Sequence, residues 1–156
     1  MRQSHRLNNI GLINRDKVIT FNFNGKSYQG YEGDTLASAL LANGVHLVGR
    51  SFKYHRPRGF IGAGVDEPNA KLQVTINGHS EPNINATEIE LVDELSATSQ
   101  NCWPSVEFDI GAINNFLKRF FPAGFYYKTF MWPKSFWYKV YEPFIRKAAG
   151  LSLIHI

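Results

Sequence analysis

Two Asn-Gly pairs, each flanked by alternating apolar residues, and one short amphipathic stretch between them predict an α+β protein of β-grasp type. Val18-Ile-Thr-Phe-Asn-Phe23 alternates, with Ile19, Phe21 and Phe23 on one face, so it reads as a strand buried on that side. Asn24-Gly25 follows; both residue types tolerate positive φ, so the chain turns and Lys26–Tyr31 becomes the return strand. Asp34 reads as the N-cap of a helix over Thr35–Asn43, with Leu36, Leu40 and Leu41 as its apolar stripe and Gly44 as its stop. Residues 49–69 carry four Gly and two Pro with little periodicity and read as a long loop. Leu72, Val74 and Ile76 alternate ahead of Asn77-Gly78, and Thr87–Val92 is a further strand candidate. A hairpin, a helix across it and more strands after a long loop is the β-grasp order; an RRM-like or other α+β sandwich is the alternative. Neither fold name implies a function.

With 156 residues the chain has room for one domain, or for a small domain plus an extension. Its 44% hydrophobic content allows a packed core. A formal charge of +4, from 17 Lys+Arg against 13 Asp+Glu, lies far below the charge density of a nucleic-acid binder. One cysteine excludes an internal disulfide framework and any metal site built of cysteines alone, and a lone thiol suits a reducing compartment. No apolar run reaches the roughly 18–20 residues of a membrane span, and the polar start lacks the apolar stretch of a secretion signal. A soluble, cytoplasmic protein with no membrane or nucleic-acid partner is expected.

Aromatic residues are unevenly placed. Of the 12 Phe, 7 Tyr and 3 Trp, 15 lie between Trp103 and Phe144, where Pro104, Pro122, Pro133 and Pro143 break helices into short pieces. The chain therefore divides into an N-terminal extension over 1–17, a β-grasp domain over 18–100 and an aromatic-rich arm of short helices and turns over 101–151. Such an arm has to pack on something larger to hide its rings; the alternative is that it folds back on the first domain.

Motifs that carry chemistry are sparse. Cys102 has no C-x-x-C partner, and His46, His55 and His79 are scattered, so the thiol reads as incidental. Gly59-Phe-Ile-Gly-Ala-Gly64 lacks the order of a dinucleotide fingerprint and the Lys-Ser/Thr of a P-loop; it reads as a tight loop passing close to other backbone. Glu32/Asp34, Asp66/Glu67 and Asp93/Glu94 are paired by sequence alone and read as solvated turn charges. One cluster is sharper. Arg50, Lys53, Arg56 and Arg58 fall within nine residues, interleaved with Phe52 and Tyr54. Guanidinium groups suit phosphate or carboxylate and aromatic rings suit stacking. The loop could dock on acidic groups of a partner domain, contact a dinucleotide held elsewhere, or bind nucleic acid.

Gly33-Asp-Thr-Leu-Ala-Ser-Ala-Leu-Leu-Ala-Asn-Gly-Val45 and Val48-Gly-Arg-Ser-Phe-Lys-Tyr-His-Arg-Pro-Arg-Gly59 closely resemble the start of the alpha subunit of heterotetrameric sarcosine oxidases. The resemblance runs on through Glu67-Pro-Asn69, Ser99-Gln-Asn101, Trp103-Pro-Ser105, Pro122-Ala-Gly-Phe-Tyr-Tyr-Lys-Thr-Phe-Met-Trp-Pro133 and Tyr141-Glu-Pro-Phe-Ile-Arg146, nearly the whole chain. It implies that a dinucleotide-binding Rossmann domain and a folate-binding domain lie further along the family's longer subunit. The chain is thus expected to be an N-terminal fragment, with Ser152-Leu-Ile-His-Ile156 a non-native tail.

The resemblance also implies a domain similar to plant-type [2Fe–2S] ferredoxins, whose ligand loop reads C-x₄-C-x₂-C with a fourth cysteine downstream. Carried onto this sequence, the first three ligand positions fall on Ile61, Asp66 and Asn69, and the fourth near Thr98 or Ser99. None is a thiolate, so no metal is expected, nor any catalytic or cofactor-binding residue within these 156. The complete enzyme implied is a flavoprotein that oxidatively demethylates sarcosine to glycine, forming hydrogen peroxide and passing the one-carbon unit to tetrahydrofolate. It would use NAD, FAD, FMN and tetrahydrofolate, with the remaining alpha-subunit domains and the other subunits as partners. The alternatives are a ferredoxin-like electron-transfer module of a related amine dehydrogenase and a basic nucleic-acid-binding module resting on Arg50–Arg58.

Overall fold

The computed structural model describes residues 3–8, 10–119, 133 and 135–148. Strand β1 (Asn14–Phe23) returns antiparallel as β2 (Lys26–Glu32) through Asn24 and Gly25, whose φ angles of 51° and 77° make the doubly positive turn that the Asn-Gly pair favours. Helix α1 (Leu36–Ala42) follows. A two-residue pairing of β3 (Gly49–Arg50) with β4 (Pro57–Arg58) then forms inside the region expected to be all loop. Strands β5 (Lys71–Ile76) and β6 (His79–Asn85) make the second hairpin, with φ of 50° and 81° at Asn77 and Gly78. The short strand β7 (Ser96–Ser99) lies between β1 and β5, parallel to the first and antiparallel to the second. The five-stranded sheet runs β2-β1-β7-β5-β6, a mixed sheet compatible with the β-grasp arrangement.

The core lies between one face of this sheet and α1. Ile19, Phe21 and Phe23 of β1, Leu72 and Val74 of β5, and Ala97 of β7 meet Leu36, Ala37, Ala39 and Leu40 of the helix. Alanine at two of those helical positions lets the helix lie close to the strands. Full burial of a Leu or Phe side chain contributes about 1.5–3 kcal/mol, so this face supplies most of the driving force.

Several expectations are corrected. Thr35, not Asp34, caps α1: its hydroxyl accepts from the Ser38 N–H while Ser38 Oγ accepts from the Thr35 N–H, a reciprocal box. Asp34 is buried instead, its carboxylate taking both terminal nitrogens of Arg6 at 3.0 and 2.6 Å, the Tyr31 N–H and the Ser38 hydroxyl. Leu41 faces outward; the buried side of the helix is Leu36, Ala37, Ala39, Leu40 and Ala42. Thr87–Val92 forms no strand beyond one isolated bridge between Thr35 and Glu90. Its backbone serves the start of α1 instead: the Leu36 N–H donates to the Ile89 carbonyl and the Leu91 N–H to that of Asp34.

After the sheet, a 3₁₀ turn (Ile110–Ala112), helix α2 (Ile113–Phe116) and a second 3₁₀ turn (Leu117–Arg119) follow in succession. A π-helical turn over Trp137–Tyr141 leads into α3 (Glu142–Ala148). Of the aromatic arm expected over 101–151, residues 120–132, 134 and 149–151 lie outside the described residues, as does the tail 152–156. No helix among the described residues is long and apolar enough to cross a membrane.

Candidate functional site

The loop from β4 to β5 passes so close to other backbone that a Cβ at Gly59 would strike the His46 carbonyl oxygen, which explains glycine there. It then closes around Glu67. Oε2 of this carboxylate accepts from the N–H groups of Ile61 (2.7 Å) and Gly62, and Oε1 from those of Asn69 (2.7 Å) and Ala70 (3.2 Å). Glu67 is 2% exposed. Burial pushes its pKa up, but the four donors outweigh burial and hold the carboxyl below its ordinary value. The expectation of a solvated turn charge is therefore wrong for Glu67; Asp66 beside it is exposed.

The three positions to which the resemblance assigns cluster ligands are placed as follows. The side chains of Ile61 and Asp66 are exposed, and the Asn69 side chain accepts a hydrogen bond from Arg58. Two of the three, Ile61 and Asn69, turn their backbone N–H groups onto Glu67. Cys102 lines a different space, a cavity of about 770 Å³ shared with Phe23, Tyr28, His46, Val106 and Glu107. Burial pushes its thiol up; Asp109 and Glu107 add to that and Arg50 opposes it. A thiol kept protonated is a weak nucleophile and a poor ligand.

The basic loop is engaged within the chain. Each nitrogen of the Arg50 guanidinium donates to a backbone carbonyl: Nε to Val106 at 2.9 Å, one terminal nitrogen to His55 at 3.1 Å, the other to Glu107 at 3.1 Å. Arg56 donates to the Asn115 side chain, and the Arg56 and Lys53 charges both lie about 5 Å from the centre of the Tyr54 ring. His55 Nδ1 lies 2.7 Å from Asp109 Oδ2. Burial pushes the Asp109 pKa up; the N–H groups of Trp103 and Gly111, together with His55, outweigh it and leave the carboxyl below its usual range. The segment from Arg50 to Arg56 thus clasps residues 106–115 of its own chain. Sequence reasoning gave Asp34 and Glu67 other roles and passed over Asp109, because their partners lie 28 residues away, on the backbone, and 54 residues away respectively.

Among known proteins, sarcosine oxidase subunit alpha of Rhizobium meliloti (strain 1021) is 61% identical over 149 residues, covering 96% of this chain and 15% of that protein. Sarcosine oxidase subunit alpha of Corynebacterium sp. (strain U-96) is 42% identical over 91 residues, 55% of this chain and 9% of that one. L-proline dehydrogenase from P. horikoshii overlaps with a TM-score of 0.45 and 30% identity over 59% of this chain and 17% of that chain. The chain spans 15% or less of the length of the curated relatives it matches.

Residues 16–102 match the 2Fe-2S iron-sulfur cluster binding domain family. A plant-type cluster is held by four Cys thiolates. This sequence has one cysteine, and the described residues bring together no group of three His, Cys, Asp or Glu that could hold a metal ion. The loop itself is filled by a carboxylate that already takes its N–H donors. The residues therefore do not fit the cluster, while the match extends over more than half of the sequence. By that match the chain belongs to the 2Fe-2S iron-sulfur cluster binding domain family.

Proposed function

We propose that the chain is a non-catalytic, cluster-free module of a sarcosine oxidase alpha-type subunit, in which Glu67 takes the structural place of the iron–sulfur group. The observation that carries this is the single carboxylate bonded by four backbone N–H groups, two of them from Ile61 and Asn69. A cluster in such a loop is an anionic body whose sulfurs accept hydrogen bonds. A buried carboxylate offers the same charge and the same kind of acceptor without a redox couple. The β-grasp domain over 18–100 then persists as a scaffold, and the arm over 101–151 joins it to the rest of the subunit. Cluster-ligand positions at Ile61, Asp66 and Asn69 leave the electron-transfer alternative without thiolates, and the in-chain bonds of Arg50, Arg56 and Arg58 compete with phosphate binding.

The complete protein, on this reading, oxidises sarcosine to glycine: the N-methyl carbon loses two electrons to flavin, oxygen is reduced to peroxide, and the one-carbon unit passes to tetrahydrofolate. The NAD, FAD, FMN and folate sites lie outside these 156 residues. The test is the complete polypeptide, assembled with its companion subunits, supplied with sarcosine and oxygen. Peroxide formed in step with sarcosine, with no cluster resonance in the reduced enzyme, supports the reading. Lack of sarcosine oxidation, or a cluster resonance from this region, overturns it.

A further inference from the structure

We propose that the outward apolar face of residues 103–117 is a docking surface for the remaining part of the same, longer polypeptide. This rests on the reading of the chain as one module of a larger subunit.

The segment over 110–117 is amphipathic, and it is packed the unusual way round. Its polar side lies against the basic loop: the Asn114 side chain reaches the Lys53 carbonyl, Asn115 takes Arg56, and a Cβ at Gly111 would clash with the His55 ring. Its apolar side, Ile110, Ile113, Phe116 and Leu117 at spacings of three, three and one, faces out, with Phe116 85% exposed. Trp103 and Phe108, a few residues earlier, are also more than two-thirds exposed. They are held in place rather than loose: the Ile110 N–H donates to the Trp103 carbonyl at 2.8 Å, and Asp109 ties the N–H groups of Trp103 and Gly111 to His55. A soluble amphipathic segment left to itself turns its apolar side inward. Here clasping by the basic loop prevents that and presents the apolar side ready-ordered, which lowers the entropy lost on docking.

The occupant follows from connectivity and charge. Six partly to fully exposed apolar side chains of these sizes present on the order of 600 Å². That is enough for an interface between domains of one chain, and connectivity and charge select the occupant. Domains joined by a linker meet at an effective concentration near the millimolar range, so a small face suffices. The R. meliloti relative carries more than five-sixths of its length outside the matched part, ample surface to cover this face. Lys118 and Arg119 edge the segment, so an apolar patch with an acidic rim is the matching chemistry.

The experiment uses the complete polypeptide with p-benzoylphenylalanine in place of Phe116, irradiated and analysed by mass spectrometry. Cross-links to residues of the same polypeptide beyond these 156 are expected. Cross-links confined to residues 1–156, to a second copy, or to another subunit overturn the proposal. A second readout uses the 156-residue chain: it binds a hydrophobic dye, and Phe108→Ser with Phe116→Ser lowers the fluorescence. A dye-silent parent chain also overturns the proposal. Sarcosine oxidation by the unmodified polypeptide separates the two failures. If sarcosine is oxidised and the cross-links fall elsewhere, only the docking face is lost; if it is not oxidised, the functional reading falls whatever the cross-links show.

Discussion

Replacing Glu67 with Gln keeps the shape of the side chain and removes half of what it does. The carboxylate accepts from four backbone N–H groups in a site closed to water. An amide keeps one oxygen, which still accepts from two donors, now without charge assistance. Its NH₂ faces the other two N–H groups and leaves them unsatisfied. Each buried donor without a partner costs about 1–3 kcal/mol, so Glu67→Gln is expected to lose roughly 3 kcal/mol, a large part of the 5–15 kcal/mol a small domain has. Urea unfolding followed by circular dichroism reads this as a lower midpoint at unchanged slope. The sign with pH follows from the depressed carboxyl. A group whose folded pKa lies below its unfolded value contributes fully above the unfolded value, near 4.3, and loses that contribution as pH falls through the folded value. The stability gap between parent and variant should therefore be full at neutral pH and shrink only below the ordinary carboxylate range. A loss under about 1 kcal/mol, or a gap unchanged down to acid pH, would refute the claim that Glu67 organises this loop.

Arg6→Ala leaves the Asp34 carboxylate buried and without its cation, and thermal or urea unfolding should show a loss of about 3 kcal/mol, reduced to the extent that the Tyr31 N–H and Ser38 hydroxyl still serve it. Leu40→Ala should cost about 2–5 kcal/mol in the same assay and Leu41→Ala less than about 1 kcal/mol, because only Leu40 faces the sheet. Asp109→Asn should speed amide hydrogen exchange over residues 103–115 while leaving the strands protected; equal loss of protection in β1 and β5 would mean that the clasp and the sheet open together.

The hairpins were legible because Asn-Gly turns are local: both pairs carry positive φ at each residue, and the alternation beside them points inward as expected. The helix was legible to within its cap. Asp34 and Thr35 are both capping residues, and the choice between them is made by Arg6, which claims Asp34 from 28 residues upstream. Strand β7 was missed because its sequence is Ser-Ala-Thr-Ser. It lies between β1 and β5 with Ala97 as its one buried residue, so it lacks the large alternating residues that mark a strand. Thr87–Val92 misled for the opposite reason: its residues suit a strand, but its hydrogen bonds go to the start of α1.

At the site, the absence of thiolates at Ile61, Asp66 and Asn69 could be read from the sequence, but their replacement could not. Glu67 sits between an exposed Asp and an exposed Pro, and nothing in that order marks it as buried. Its partners are backbone N–H groups, which every sequence has. The Arg50–Arg58 loop stands out in the sequence by its charge, as a place to dock on acidic groups, a dinucleotide or nucleic acid. Much of its contact turns out to be with residues 106–115 of the same chain, whose carbonyls and Asn side chains give no charge signal.

On the proposed reading, a member of a cluster-binding family has exchanged its cluster for one carboxylate and kept the fold. Anaerobic reconstitution of the 156-residue chain with ferrous iron and sulfide, followed by desalting, tests it most directly, with visible absorption and bound iron measured against protein and a parallel circular-dichroism spectrum of the untreated chain. The chain is expected to be folded before any iron is added and, after treatment, to show no sulfide-to-iron charge-transfer band and no stoichiometric iron. A chain that folds only on reconstitution, or one that takes up iron in stoichiometric amount with a visible chromophore, would contradict it.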